Sequence, residues 1–208
     1  MRANRKVKKN KNTKAITAIV IAVVVVVAAS LCALLYNSNN NNIKQIKVEK
    51  PNFAAVKVSE YSITYEIPKT WSNSIGAIKR TENQEVYAPI GANIANGTSN
   101  INVIVADNTE NATLKSYEKK KSSLVSSIKS TFSGNASNFD YSSFSVNAGD
   151  VFEIDYNVVY NGKNMKQSQF YVITSNKIVT ITSTDISDNT EVSPKDAGLN
   201  AVISLSID

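Results

Sequence analysis

Residues Ala15 to Tyr36 form an apolar run without a single charge, and the fourteen residues before it carry seven basic side chains and no acidic one. That pairing constrains the chain more than any other feature. At about 1.5 Å rise per residue, a helix over these 22 residues spans about 33 Å, enough to cross a hydrocarbon core of about 30 Å. One transmembrane helix is therefore expected. Basic residues beside a short terminal segment stay on the cytoplasmic side, so the N-terminus is expected inside and everything after Tyr36 outside. A cleaved signal peptide shares the basic start but has a shorter core, about 7 to 15 residues. Ala28, Ala29 and Ser30 are small enough for a cleavage site, and Cys32 is where a lipoprotein would be lipidated, although Leu31 stands where that pattern takes Gly, Ala or Ser. Length favours a retained anchor.

The net charge of +6 does not point to nucleic acid. All 17 acidic residues follow Tyr36, where they meet 16 basic ones, so the exported part carries −1. The basicity is a topology signal. The arm has no aromatic residues or base-reading motifs, and contact with anionic lipid, at about 1 kcal/mol per Lys or Arg, accounts for it.

Cys32 is the lone cysteine and His is absent, so the exported part can form no disulfide, His-containing triad, thiolate nucleophile or ordinary zinc site. Its length suffices for one core without such a staple. No G-x-S-x-G, Walker A or G-x-G-x-x-G string occurs. Abundant Asn, Lys and Ile resemble the codon bias of an AT-rich genome and suggest a Gram-positive bacterium; the sequons at Asn96, Asn111 and Asn135 then follow from Asn abundance alone.

Four segments are expected: a basic cytoplasmic tail over 1–14, the transmembrane helix over 15–36, an Asn-rich flexible spacer over 37–52, and an extracytoplasmic domain over 53–208. Within the domain, Tyr61, Ile63, Tyr65 and Ile67 alternate with polar residues and end at Pro68, which reads as a strand with one buried side. Gln84 to Ile90 and Ile101 to Ala106 read as two more, separated by a loop over Gly91 to Asn100. From Ala112 to Phe132 the apolar spacing changes to three and four, predicting one amphipathic helix capped by Asn111, with Gly134 beyond its end. Its run Lys119, Lys120, Lys121 reads as a solvated face with one lysine stem over apolar surface. Strands follow over Phe139 to Val146, Val151 to Tyr160, Met165 to Thr174 and Lys177 to Thr184. Asn161-Gly162 is the strongest hairpin signal, and the last three strands should form an antiparallel meander. A helix over Lys195 to Leu205 closes the chain. This order argues for an α+β domain on a mostly antiparallel sheet flanked by helices.

The segment YSITYEIPKTW, Tyr61 to Trp71, resembles the opening of PsbP-like domains, in which an alternating strand meets a proline and then, three residues on, a tryptophan. The elements NINVIVAD, LKSYEKKKSSL, the NGK hairpin between YNVVY and QFYVI, KIVTITST and the terminal ISLSI follow in the matching order. The likeness covers 53–208. It implies an α/β/α sandwich around a central antiparallel sheet, in a family that includes an extrinsic photosystem subunit and membrane-anchored bacterial envelope proteins of unknown function. Metal contacts attributed there partly to histidines have no counterpart in this chain.

The residues that could carry chemistry are few. Glu153 and Asp155 share one face of a strand, where paired carboxylates can split their pKa values; the plain alternative is a solvent-facing stripe opposite Val151, Phe152, Ile154 and Tyr156. Asp185, Asp188 and Glu191 could offer oxygen ligands to calcium, but their spacing fits no EF-hand and an acidic turn is the simpler reading. Trp71 is expected as a packing anchor. Tyr160 and Tyr171 would mark a partner patch if exposed as neighbours, with core packing the default among Tyr156, Tyr160, Phe170 and Tyr171. No catalytic, cofactor-binding or metal-ligating residue is assigned and no cofactor is implied. The expected partners are membrane lipid through Ala15 to Tyr36 and an envelope protein, with no nucleic acid. The function expected is a non-catalytic, membrane-tethered binding or assembly module; the alternative is an envelope enzyme or a small-ligand or cation receptor using carboxylate, Ser or Lys groups.

Overall fold

A computed structural model describes residues 53–74, 83–92, 98–160, 162–187 and 190–208. The basic tail, the apolar run Ala15 to Tyr36 and the spacer lie outside the described residues, as do Asn161 and Asp188. Among the described residues no helix is long and apolar enough to cross a membrane.

Seven strands form the main sheet: β3 (Trp71–Asn73), β4 (Gln84–Pro89), β5 (Asn100–Asp107), β6 (Ala136–Val146), β7 (Gly149–Tyr160), β8 (Lys163–Ile173) and β9 (Lys177–Asp185). Their order is β3-β4-β5-β9-β8-β7-β6, with every neighbouring pair antiparallel. The meander β6 to β9 forms as its hairpin signals predict. Tyr160 pairs with Lys163, and Gly162 between them takes φ 76°, which only a residue without a Cβ adopts freely. Asn108 joins the central turn to the crossover: its side-chain amide donates to the carbonyls of Ala112 and Thr174 and accepts from the Ala112 N–H.

Four features differ from the sequence reading. The strand expected from Tyr61 begins at Ile63, because Ser59–Tyr61 is a 3-10 turn closed by Ser62 at φ 52°. That strand, β2 (Ile63–Pro68), belongs to a separate small sheet with β1 (Phe53–Val58) and a two-residue β10 (Ser206–Ile207), order β1-β2-β10. Strand periodicity reports a buried side but not which sheet the strand joins.

The single helix expected over Ala112 to Phe132 is two, α1 (Leu114–Lys119) and α2 (Lys121–Thr131), broken at Lys120. Its cap is Thr113, not Asn111: the Thr113 hydroxyl accepts from the Ser116 N–H at 3.3 Å while the Ser116 hydroxyl accepts from the Thr113 N–H at 2.9 Å. Asn111 sits at φ 51°, a turn position. Both helices cover one face of the main sheet, burying Tyr117, Leu124, Ile128 and Phe132 against Phe152, Ile154, Tyr156 and Tyr171.

The third helix, α3 (Pro194–Ile203), and the small sheet cover the other face. Ser193 caps it, accepting from the Asp196 N–H at 3.0 Å, with Pro194 in the first turn. Ala197, Ala201 and Val202 are fully buried there with Phe170, Val172, Val179 and Ile181, and Trp71 is 4% exposed, the anchor expected of it. Helices on both faces of an antiparallel sheet give the α/β/α layering. Tyr65 in the small sheet meets Tyr87 in the main sheet edge to face, with the hydroxyls 3.0 Å apart.

Candidate binding groove

Strand parity places Glu153 and Asp155 on the α3 face of β7, on the same side as Val151 and opposite Phe152, Ile154 and Tyr156. The stripe does not face solvent. The first turn of α3 lies over it, and the Lys195 ammonium stands 3.0 Å from Glu153 Oε1 and 2.5 Å from Asp155 Oδ2. Across the hairpin, the Ser142 hydroxyl donates to Glu153 Oε2 at 2.5 Å. Glu153 is 9% exposed, so both carboxylate oxygens are held by chain partners rather than water. Partial burial lowers the Lys195 pKa, but hydrogen bonds to Asp155 and Glu153 outweigh that and hold it above the ordinary lysine value. The arrangement is an ion-paired triad in which the two carboxylates favour the charged form of the lysine.

Above the triad opens a groove of about 530 Å³ between the end of β6 and α3. Phe144 and Val146 form one wall, Leu199 and Ile203 the other, and Glu153 and Lys195 the floor. Ile203 is 55% exposed, unusual for its type on a helix that is otherwise well packed. β6 is the last strand of the main sheet, and among the described residues nothing pairs with its outer edge.

On the opposite side of β6, α2 contributes two lysines over aromatic rings. The Lys121 ammonium lies 5.0 Å from the Tyr141 ring centroid and 5.8 Å from that of Phe152; Lys129 lies 5.6 Å from that of Phe139. These are cation–π distances, and the stem of Lys121 covers apolar surface as its place in the helical pattern implies. The sequence reading, which expects no S-x-x-K string, is wrong on this point: Ser116 to Lys119 and Ser126 to Lys129 are two. Neither pairs serine with lysine: Ser116 caps α1 and Ser126 donates to the Ser122 carbonyl.

The remaining candidates are not brought together. Tyr171 is buried at 1% and Tyr160 only half-buried, so they form no exposed pair; Tyr171 packs 5.0 Å from Tyr117. Asp185 accepts from the Ser187 N–H in a local turn, and its expected neighbour Asp188 lies outside the described residues. Among the described residues no group of three or more acidic, His or Cys side chains is placed to hold a metal ion.

A buried polar array escaped the sequence reading. Tyr171 donates to Gln169, Gln169 to the Tyr156 hydroxyl, Tyr156 to Gln167 and Gln167 to Thr184, all within 3.0 Å. Thr180, Thr182 and Thr184 alternate with apolar residues, a pattern that normally means solvent on the polar side, yet each is 3% exposed or less. Here the polar side is covered; Gln167 and Thr184 bond across neighbouring strands, while the Thr182 hydroxyl is buried without a hydrogen-bond partner.

No protein-family model and no curated protein matches the chain. Solved structures share the fold. The cyanobacterial PsbP protein CyanoP of Synechocystis is similar over 81% of this chain and 98% of its own, at 11% identity and a TM-score of 0.53. A Bacteroides thetaiotaomicron structure matches 77% of this chain and 49% of its own, at 10% identity and a TM-score of 0.50. The Ran-binding protein Mog1p of Saccharomyces cerevisiae covers 76% of this chain and 96% of its own, at 13% identity and a TM-score of 0.47. The likeness to CyanoP shows a PsbP-like fold, as the ordered elements of the sequence imply.

Proposed function

We propose that this chain is a membrane-tethered, extracytoplasmic module of the bacterial envelope that binds another protein and performs no catalysis. The observation that carries this reading is the disposition of its charged triad. Glu153 and Asp155 are both ion-paired to Lys195 beneath a groove walled by Phe144, Val146, Leu199 and Ile203, so the groove offers contact area rather than a poised acid or base. The charge-free run Ala15 to Tyr36 and its basic flank supply the tether. A tether raises the local concentration for a membrane-bound partner, so weak contacts suffice. PsbP-like folds carry no function by themselves, and none is taken from CyanoP or Mog1p.

Crosslinking in intact cells tests the reading. A membrane partner enriched with the full chain is expected, while recovery of the monomer alone counts against it. The second reading, an envelope enzyme or small-ligand receptor, has one observation in its favour: the groove is lined by a carboxylate, Glu153, and an ammonium, Lys195. Lys195→Met would then abolish an activity on envelope material while leaving crosslinking intact.

A further inference from the structure

β6 spans eleven residues and is bonded on one side only among the described residues. Edges of this kind are normally blunted by Lys, Pro, a bulge or a covering loop, because a row of unpaired N–H and C=O groups templates another strand. The one irregularity in the β6 register falls between Ser137 and Asp140, and the Tyr141 N–H donates to Asp140 Oδ1; from Ser142 to Val146 the strand is regular and contains no Lys, Pro or other charge. The strand also divides its side chains between two different surfaces. Ser142, Phe144 and Val146 point to the α3 face and the apolar groove, whereas Tyr141 and Ser143 point to the α2 face, where Lys121 and Lys129 stand over the aromatic rings.

We infer that β6 is a docking edge that takes an extended segment of the partner as an eighth strand, with apolar residues at alternate positions and acidic residues between them. The inference rests on the module reading and names the chemistry of its partner. Main-chain hydrogen bonds to β6 supply affinity without regard to sequence, and the two flanking surfaces supply choice. Alternate residues on one side of the incoming strand enter the groove beside Phe144, Val146, Leu199 and Ile203. Acidic residues there would lose water against apolar walls beside Glu153 and Lys195, which already pair with each other, and are disfavoured; on the other side they meet Lys121 and Lys129 and are favoured. Among the described residues neither lysine has a carboxylate within ion-pair distance, so both are available to an incoming one.

The same charges argue against a second copy as the occupant. Antiparallel pairing of two β6 edges about a two-fold axis keeps both α2 helices on one side of the joined sheet. The lysine rows would then face each other, like charge against like.

The test uses the full chain in lipid nanodiscs and three blocked heptapeptides: alternating Val and Glu, the same residues with the Glu clustered, and alternating Val and Lys. Hydrogen exchange of the segment Tyr141 to Val146 is the readout. The alternating Val/Glu peptide is expected to slow exchange there by about tenfold at saturation, the other two far less. Lys121→Glu with Lys129→Glu is expected to weaken the Val/Glu peptide on the order of fivefold per lysine and to improve the Val/Lys peptide. Ile203→Asp, at an exposed position where the fold tolerates a charge, is expected to weaken every peptide that binds. Equal protection by alternating and clustered peptides, no protection by any, or dimerisation of the chain through β6 would each overturn the inference. In cells, a photo-crosslinker at Ser143 separates the two levels of the argument. A partner captured from other positions but never from Ser143 removes the docking edge and leaves the module; no partner from any position removes both.

Discussion

The Lys195 ammonium sits 3.0 Å from a Glu153 oxygen, linking the first turn of the last helix to the middle of β7. Helix α3 is held to the sheet by apolar contact along its length, and this ion pair fixes its N-terminal end. Lys195→Met leaves Glu153 covered by α3 without its countercharge. Because Lys195 is about half exposed, the cost is discounted for solvent screening and is expected at about 1–2 kcal/mol. Urea unfolding checks this, and adding Glu153→Gln should recover part of the loss, since the orphaned charge is then gone.

Gly198 gives a prediction opposite in sign to helix propensity. Ala in place of Gly within a helix ordinarily stabilises by about 1 kcal/mol. Here a Cβ would lie 2.1 Å from Ser183 Oγ and 3.3 Å from a Phe170 ring carbon. Gly198→Ala is therefore expected to destabilise by about 1–3 kcal/mol. Ser183→Ala removes the obstructing oxygen, itself without a hydrogen-bond partner, so the double variant should be more stable than Gly198→Ala alone. A double-mutant cycle by thermal unfolding measures the coupling.

The two residues that compete to start α1 can be told apart. Thr113→Ala removes a cap and is expected to cost about 1 kcal/mol. Asn111→Gly, at φ 51°, should be neutral or slightly stabilising because glycine meets no Cβ penalty there. If Asn111 were the cap, the two outcomes would exchange.

Alkaline pH should act through the buried tyrosines. Burial raises the pKa of Tyr65, Tyr117, Tyr156 and Tyr171, and of Tyr87, where the hydrogen bond from Tyr65 partly opposes it. A folded-state pKa above the unfolded value near 10 means stability is full below about pH 10 and falls as pH rises beyond it. Phenolate absorbance at 295 nm should therefore show only the accessible tyrosines titrating while the fold persists, with the buried ones appearing together at unfolding. Smooth titration of all nine tyrosines in the folded state would contradict this.

Much of the fold was legible because its signals are local. The period of β7 to β9, the Asn161-Gly162 turn and the change to helical spacing after Asn111 each depend on neighbours a few residues away. The candidate groove was not legible in the same way. Glu153 and Asp155 were visible as a pair, but their countercharge comes from Lys195 and their third partner from Ser142, and no spacing rule joins those positions. The face was misjudged for a related reason: alternation says that two sides differ, and a polar side is assumed wet, yet α3 covers this one and the threonine side of β9 is buried as well.

By itself, the sequence determined the kinds and order of elements, the absence of thiol and imidazole chemistry beyond Tyr36, and the segregation of basic charge ahead of an apolar run. These follow from composition and from periodicities that the backbone imposes on any chain. Tertiary structure alone decided that β2 leaves the main sheet for a small one, that a lysine closes over two carboxylates, and that β6 ends the sheet of the described residues, between an apolar groove and a pair of lysines. Such outcomes depend on which surfaces pack against which, and burial energies summed over distant residues choose among layers that local pattern leaves equivalent.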